Sequence, residues 1–224
     1  MKKFTSVLAI FASVCAAQPA AAFNKGDIIA RVGATNVNPS DSSSNIFVGG
    51  ADLGFGVTVD DNTQIGLNFA YFLTDKLNIE VLAATPFTHD VGFAVNDPLS
   101  TGNKLGEVSQ LPPTVTLNYY FNNPDNALQP YIGVGLNYTF IFDEELSSSN
   151  EAIGLSDFSL DDSTGLSAQI GVDYMINDKW FLNGSFRWID IDTDAKFNLN
   201  GTEGFVSSIE IDSIVTTVSL GYRY

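Results

Sequence analysis

The sequence predicts an all-β fold: an eight-stranded antiparallel transmembrane β-barrel with short periplasmic turns and long extracellular loops. Three features of the chain lead there. The C-terminus reads Ser219-Leu220-Gly221-Tyr222-Arg223-Tyr224, in which Tyr224, Tyr222, Leu220 and Val218 share one face and Arg223, Gly221, Ser219 and Thr217 the other. Side chains on a strand alternate faces, so this segment is apolar on one side and small and polar on the other, as a strand between lipid and a filled lumen must be. The chain of 224 residues is 45% hydrophobic, yet nowhere gathers the ~18 consecutive apolar residues of a helical span. An N-terminal leader marks it for export.

The leader comes first. Lys2 and Lys3 precede an apolar run over 4–17 and then Gln18-Pro19-Ala20-Ala21-Ala22, the charged, apolar and A-x-A order of a secretory signal. Cleavage is expected after Ala22, so 1–22 is a signal peptide and 23–224 the barrel domain. The run is too short, and its flank too small, for an anchor helix. The single cysteine, Cys15, lies in the leader behind Ala12-Ser13-Val14, a poor lipoprotein signal. The mature chain therefore has neither thiol chemistry nor a disulfide framework.

The net charge is −16, and without the two leader lysines it is −18. Such a surface excludes nucleic acid as a partner. Most acids fall between the predicted strands, as solvated loop residues.

The strands are expected at 27–37, 63–73, 76–87, 110–121, 129–142, 164–176, 179–191 and 209–224. Each covers the ~9–11 residues of a tilted membrane strand. Ile65, Leu67, Phe69 and Tyr71 oppose Gln64, Gly66, Asn68 and Ala70; Val115, Leu117 and Tyr119 oppose Thr114, Thr116 and Asn118. Ile132, Val134, Leu136 and Tyr138 oppose Gly133, Gly135 and Asn137; Leu166, Ala168 and Ile170 oppose Ser167, Gln169 and Gly171. Thr74-Asp75, 122–126 and Asn177-Asp178 form short connections, while 38–62, 88–109, 143–163 and 192–208 are long. A sandwich has no reason to alternate in this way; an outer-membrane barrel does. Aromatics form two girdles. Tyr71, Tyr119, Phe121, Tyr131, Tyr174, Trp180, Tyr222 and Tyr224 belong to the turn side, and Phe87, Phe140, Phe142 and Trp188 to the loop side. Pro112 and Pro113 fit a strand start, where the ladder can miss a donor.

Arg31, Glu80, Asp173, Arg187 and Arg223 fall on the polar parity of their strands. An Arg or Lys facing mid-bilayer lipid costs about 2–4 kcal/mol, so these charges are expected to pair as a polar plug in the lumen. Leu82, Phe72, Met175 and Phe181 share the inward parity; they suit either packing or the walls of an apolar pocket. Catalytic chemistry is sparse. His89 is the sole histidine, beside Asp90, and reads as a polar rim residue and not as a base. No metal or cofactor is expected, because zinc-ligand pairs and a phosphate loop are both missing. Asp143-Glu144-Glu145, Asp157 and Asp161-Asp162 lack calcium-loop spacing. They read as solvated acids able to meet lipopolysaccharide through divalent cations.

With these residues in place, the chain resembles the OmpW/AlkL family of small outer-membrane proteins. The matching stretches, in order, are Asn62-Thr63-Gln64-Ile65-Gly66-Leu67, Leu82-Ala83-Ala84-Thr85-Pro86-Phe87, Leu111-Pro112-Pro113-Thr114, residues 130–139, Gly154-Leu155-Ser156-Asp157, Gly171-Val172-Asp173-Tyr174, Asp190-Ile191-Asp192-Thr193 and Gly221-Tyr222-Arg223-Tyr224. The resemblance implies a narrow apolar channel entered from outside, closed toward the periplasm and released sideways into the membrane. It implies a channel-lining role for Leu82. It sets Thr164 where the family can carry tryptophan, and so at a wider constriction. The expected function is an outer-membrane channel for small hydrophobic molecules, not an enzyme; the alternative is a structural or surface-interaction barrel acting through its acidic loops. The expected partners are outer-membrane lipids and lipopolysaccharide, small hydrophobic solutes, and the assembly machinery that reads the C-terminal strand, with the protein a monomer.

Overall fold

A computed structural model describes residues 23–40, 43–121, 123 and 125–224; the expected signal peptide lies outside the described residues. In chain order these form β1 (Ile28–Pro39), β2 (Phe47–Val48), β3 (Ala51–Asp52), β4 (Val57–Val59), β5 (Asn62–Phe72), β6 (Leu77–Ala84), β7 (Phe87–Phe93), β8 (Lys104–Leu111), β9 (Thr114–Tyr120), β10 (Leu128–Leu146), α1 (Ser148–Ala152), β11 (Leu155–Leu160), β12 (Ser163–Met175), β13 (Trp180–Ile189), β14 (Asp192–Leu199), β15 (Thr202–Glu210) and β16 (Ser213–Arg223).

Eight of these, β1, β5, β6, β9, β10, β12, β13 and β16, pair antiparallel in sequence order, and β16 returns to β1 to close the barrel. The alternation sets the two faces. Ile65, Val134 and Val218 are 59%, 67% and 65% exposed, while Arg31 and Glu80 are 2% and 1%. In water such an outer face would be an aggregation surface; in a bilayer it meets its own solvent. Closure leaves no barrel edge unpaired.

The short connections hold themselves through side chains. Thr74 Oγ1 accepts from the Lys76 and Leu77 amides at 3.2 and 3.0 Å, and Asn177 Oδ1 from those of Lys179 and Trp180, both at 2.9 Å. Thr and Asn supply such local acceptors in turns.

The loop end departs from expectation. The long connections fold into eight further strands and a short helix, because segments such as Phe87-Thr88-His89-Asp90-Val91-Gly92-Phe93 alternate as strictly as the spans do. β8, β7 and β4 extend the wall from the upper half of β10; β11, β14, β15, β2 and β3 form a separate five-stranded sheet. Three predicted strands are split. Pro86 separates β6 from β7, Pro112-Pro113 separates β8 from β9, and Ile211-Asp212 separates β15 from β16. Proline cannot supply a ladder amide. Two members of the predicted girdles, Tyr131 and Phe87, are instead buried inside, on the parity opposite to Ile132 and Thr88.

Candidate functional site

The lumen is built in layers, and its lowest is aromatic. Phe72, Met175, Phe181, Tyr120, Tyr131, Ile29 and Ala70 form one apolar cluster at the turn end, with Phe23 at its centre. The Phe23 ring stacks on Phe72 at 4.7 Å and meets Phe181 and Tyr120 edge-on at 5.1 and 5.6 Å. The segment behind it is tied down: the Gly26 amide donates to the Phe72 carbonyl at 2.8 Å and the Lys25 amide to Asp75 Oδ1 at 2.8 Å. Gly221 makes room for this floor, since a Cβ there would overlap the Phe181 ring.

Above the floor lies an ionic layer. Arg31 donates from Nη1 to Glu80 Oε2 at 2.5 Å, and from Nη2 to Asp173 Oδ2 at 2.7 Å and Tyr120 Oη at 2.9 Å. Arg187 Nη2 reaches Glu80 Oε1 and Gln169 Oε1, both at 2.6 Å. Gln169 donates to Asn118 Oδ1 at 2.5 Å, Asn118 to Asn78 Oδ1 at 2.9 Å, and Asn183 to Asp173 Oδ1 at 2.8 Å. Two arginines and two carboxylates balance here, and the amides use the remaining acceptors. Buried charges persist only when paired and hydrogen-bonded in this way.

The loop end encloses a different space. Val57, Val91, Phe93, Leu105, Val108, Phe197, Val206, Ile209 and Ile211 belong to a second, wholly apolar cluster that reaches down to Val37, Ile189 and Val215. Between the two sheets remains a cavity of about 50 Å³ lined only by apolar residues. That is room for a few water-sized spheres, so a solute the size of naphthalene enters only as the side chains part.

Among the described residues the two sheets share no ladder on either flank of this chamber: β4 and β3 end their sheets on one flank, and β10 and β11 meet without pairing on the other. β11 pairs only with β14, and beyond Thr139 β10 pairs only with β8. Across the seam the Leu160 amide donates to Glu144 Oε1 at 3.3 Å and the Ile141 amide to Asp162 Oδ1 at 2.9 Å. A register irregularity between Phe142 and Glu145, with Asp143 at φ 52°, bends β10 where Glu144 turns toward β11. Leu146, Phe158 and Leu160 line the chamber and are half-exposed along this seam.

His89 is 1% exposed; its Nδ1 lies 2.6 Å from the Asp60 carbonyl and its Nε2 2.9 Å from Gln110 Nε2. The contacts define a neutral imidazole that donates from Nδ1 and accepts at Nε2, and burial pushes its pKa down. It staples strands together and faces no reactive partner. Outside the seam, Asp161, Asp162, Asp192, Asp194 and Glu210 line an open cleft. Burial, and then Asp190, Glu210 and Asp212, push the Asp192 carboxyl up. No cluster fit to hold a metal is found among the described residues.

The predicted site residues thus divide. Arg31, Glu80, Asp173 and Arg187 meet in one layer. Arg223 does not join them: it sits at the turn-end rim, 3.6 Å from Asp27, because its strand runs past the floor. Phe72, Met175 and Phe181 lie in the floor beneath the ions, not in the apolar chamber. Leu82 is buried one inward step above Glu80 but does not line the chamber either. Thr164 is exposed on the outer wall opposite Tyr138; β12 runs without a bulge from Thr164 to Leu166, so both face out. Sequence reasoning missed Phe23 and the chamber itself. The alternation of Val91 and Phe93, and of Ala195 and Phe197, signals the chamber; nothing in the local pattern signals Phe23.

A model of the OmpW family matches residues 24–224. The chain is 40% identical over 224 residues to outer membrane protein W of Vibrio cholerae, covering 100% of both. The crystal structure of the outer membrane protein OprG from Pseudomonas aeruginosa superposes with a TM-score of 0.85 at 40% identity, over 92% of this chain and 99% of that one. A more distant relative, the dibenzothiophene metabolism operon protein PahQ of Pseudomonas aeruginosa, is 30% identical over 87% of each chain.

Proposed function

This chain belongs to the OmpW family of outer-membrane β-barrels and is not an enzyme, and from that premise we propose that it admits small apolar molecules through the outer membrane by way of its extracellular chamber. The observation that carries the reading is the wholly apolar lining of that chamber, set on the loop side of a balanced ionic layer with the buried side chains of Thr35, Thr114, Asn137 and Thr139 between. A charged polysaccharide coat is a poor solvent for such molecules, and an apolar wall lowers the barrier. Below, the Arg31–Glu80–Asp173–Arg187 layer and the Phe23 floor close the way to the periplasm, so passage straight through is blocked. The solute leaves sideways, across the β10–β11 seam, where the hydrogen bonds among the described residues run from the Leu160 amide to Glu144 and from the Ile141 amide and the Tyr138 hydroxyl to Asp162. The name of the PahQ relative, tied to metabolism of an aromatic heterocycle, fits an apolar cargo.

The experiment is uptake of naphthalene by cells carrying the protein, lacking it, or carrying Val91→Arg. Val91 is 4% exposed and lines the chamber, so the arginine should bring uptake down to the level of cells without the protein. Undiminished uptake with the barrel folded would overturn the reading in favour of a surface-interaction barrel acting through its acidic exterior.

A further inference from the structure

The junction between the apolar chamber and the ionic layer carries unused hydrogen-bonding capacity. Val37, Ile189 and Val215 are the lowest members of the chamber cluster. In the ladder Ile189 stands opposite Ser167, and Val215 opposite Arg187. On β13 and β16 the apolar wall therefore gives way to polar floor within one residue pair, whereas on β9, β10 and β12 the buried side chains of Thr114, Asn137, Thr139 and Ser163 continue the polar lining upward from Thr116, which stands opposite Glu80. At that level Gly135 lies between Thr116 on β9 and Ser167 on β12. A Cβ at Gly135 would stand 2.9 Å from Thr116 Oγ1 and 2.8 Å from Ser167 Oγ, so the glycine lets both hydroxyls crowd one spot. Thr116 is 1% exposed and Ser167 3%. Neither hydroxyl finds a hydrogen-bond partner among the described residues. Buried polar groups without partners are uncommon and costly, so each one calls for a reason.

We infer that Thr116 and Ser167 form a head-group site at the foot of the chamber, and that the preferred solute is an amphiphile with a neutral hydroxyl or carbonyl head and an apolar body. The inference rests on the chamber reading above. The body fills the apolar chamber, while the head reaches the two hydroxyls, each of which can donate and accept. An alkane leaves them unmet. A carboxylate head is disfavoured for a different reason: Arg31, Arg187, Glu80 and Asp173 already balance, and a further anion would be buried without a partner.

The test uses the mature chain in lipid nanodiscs and three probes of equal chain length, 1-octanol, octane and octanoate, with binding read from methyl NMR shifts of Val91 and Ile189. Wild type should bind 1-octanol about tenfold more tightly than octane, the scale of one or two added hydrogen bonds, and octanoate no better than octane. Thr116→Val with Ser167→Ala removes the hydroxyls at nearly constant shape and leaves fewer unmet groups, so this variant should fold at least as stably. It should bind 1-octanol only as well as octane, with octane unchanged. Equal 1-octanol affinity in wild type and variant, or tightest binding of octanoate, overturns the head-group site alone. Val91→Arg should abolish binding of all three probes; unaffected binding there overturns the chamber reading and this inference with it.

Discussion

The two ends of this barrel solve opposite problems with the same strands. Between the turn end and mid-height the lumen is full: rings pack the floor, and four charges with their amides occupy the layer above. At the loop end two sheets face each other across apolar side chains, with no ladder joining them at either flank. The first region is held by directional bonds that fail together if one partner goes. The second is held by contacts that can part and re-form, as a chamber with only about 50 Å³ of standing space requires if anything is to enter. Rigidity is thus placed where leakage would harm the cell, and compliance where cargo must pass.

The largest effect expected from breaking this contrast is at Arg31. Arg31→Met leaves Asp173 with no cation beside its Tyr120 and Asn183 donors, and leaves Glu80 with Arg187 and Gln169. Removing one member of a buried pair costs about 3–5 kcal/mol, and the barrel's urea unfolding midpoint should fall accordingly. Adding Asp173→Asn should restore much of the loss. Phe197→Ala in the chamber should leave that midpoint nearly unchanged while loosening only the extension. If both substitutions lowered the barrel midpoint equally, the two ends would be one cooperative unit and the contrast would fail.

A smaller effect tests the floor. Phe23 sits at the start of the described chain yet is only 2% exposed. If the leader is cleaved after Ala22, Phe23 becomes terminal, and Phe23→Ala should then cost about 1–3 kcal/mol, less than a mid-core phenylalanine because a chain end relaxes readily. It should also unseal the lumen from below. Met175, 0% exposed, provides the reporter: residues 23–224 contain no cysteine, so Met175→Cys is their sole thiol. A bulky water-soluble maleimide should label it only when Phe23 is also replaced. Labelling with Phe23 intact would show that the floor leaks without any change.

The sequence made the membrane-facing half legible because lipid imposes one rule on every span. Ile65, Val134 and Val218 face out for the same reason, and Arg31, Glu80, Asp173 and Arg187 follow by parity. Parity, applied evenly, also puts Thr164 outside with Leu166; likeness to a family position pointed the other way, and the ladder decided. Inward direction alone did not give height, which is why Phe72, Met175 and Phe181 were open to reading as channel walls when they form the floor. The extension was legible in part. Val91-Gly92-Phe93 and Ala195-Lys196-Phe197 alternate, but they sit in segments whose length and acidity suggest loops. Phe23 was not legible, since its place depends on a ring meeting three strands that are distant in sequence.

The smallest effect concerns how firmly the extension closes. His89 joins β7 to the Asp60 carbonyl and to Gln110 on β8 as a neutral ring, and burial holds its pKa below the ordinary value. The unfolded or opened segment binds a proton more readily than the closed one. The stabilisation is therefore complete above the ordinary histidine pKa of about 6.5 and is lost as pH falls through that value toward the depressed one. Protonation puts a hydrogen on Nε2 facing the Gln110 amide donor, so the contact must break or the amide must turn. Amide protection factors across β7 and β8, which correct for the base-catalysed intrinsic rate, should fall roughly severalfold between pH 7 and pH 5, while those in β12 and β13 stay flat. His89→Gln should abolish that pH dependence. A wild-type protection profile flat with pH would mean that β7 and β8 are held by their ladder alone, and that the compliance of the chamber lies in the β10–β11 seam.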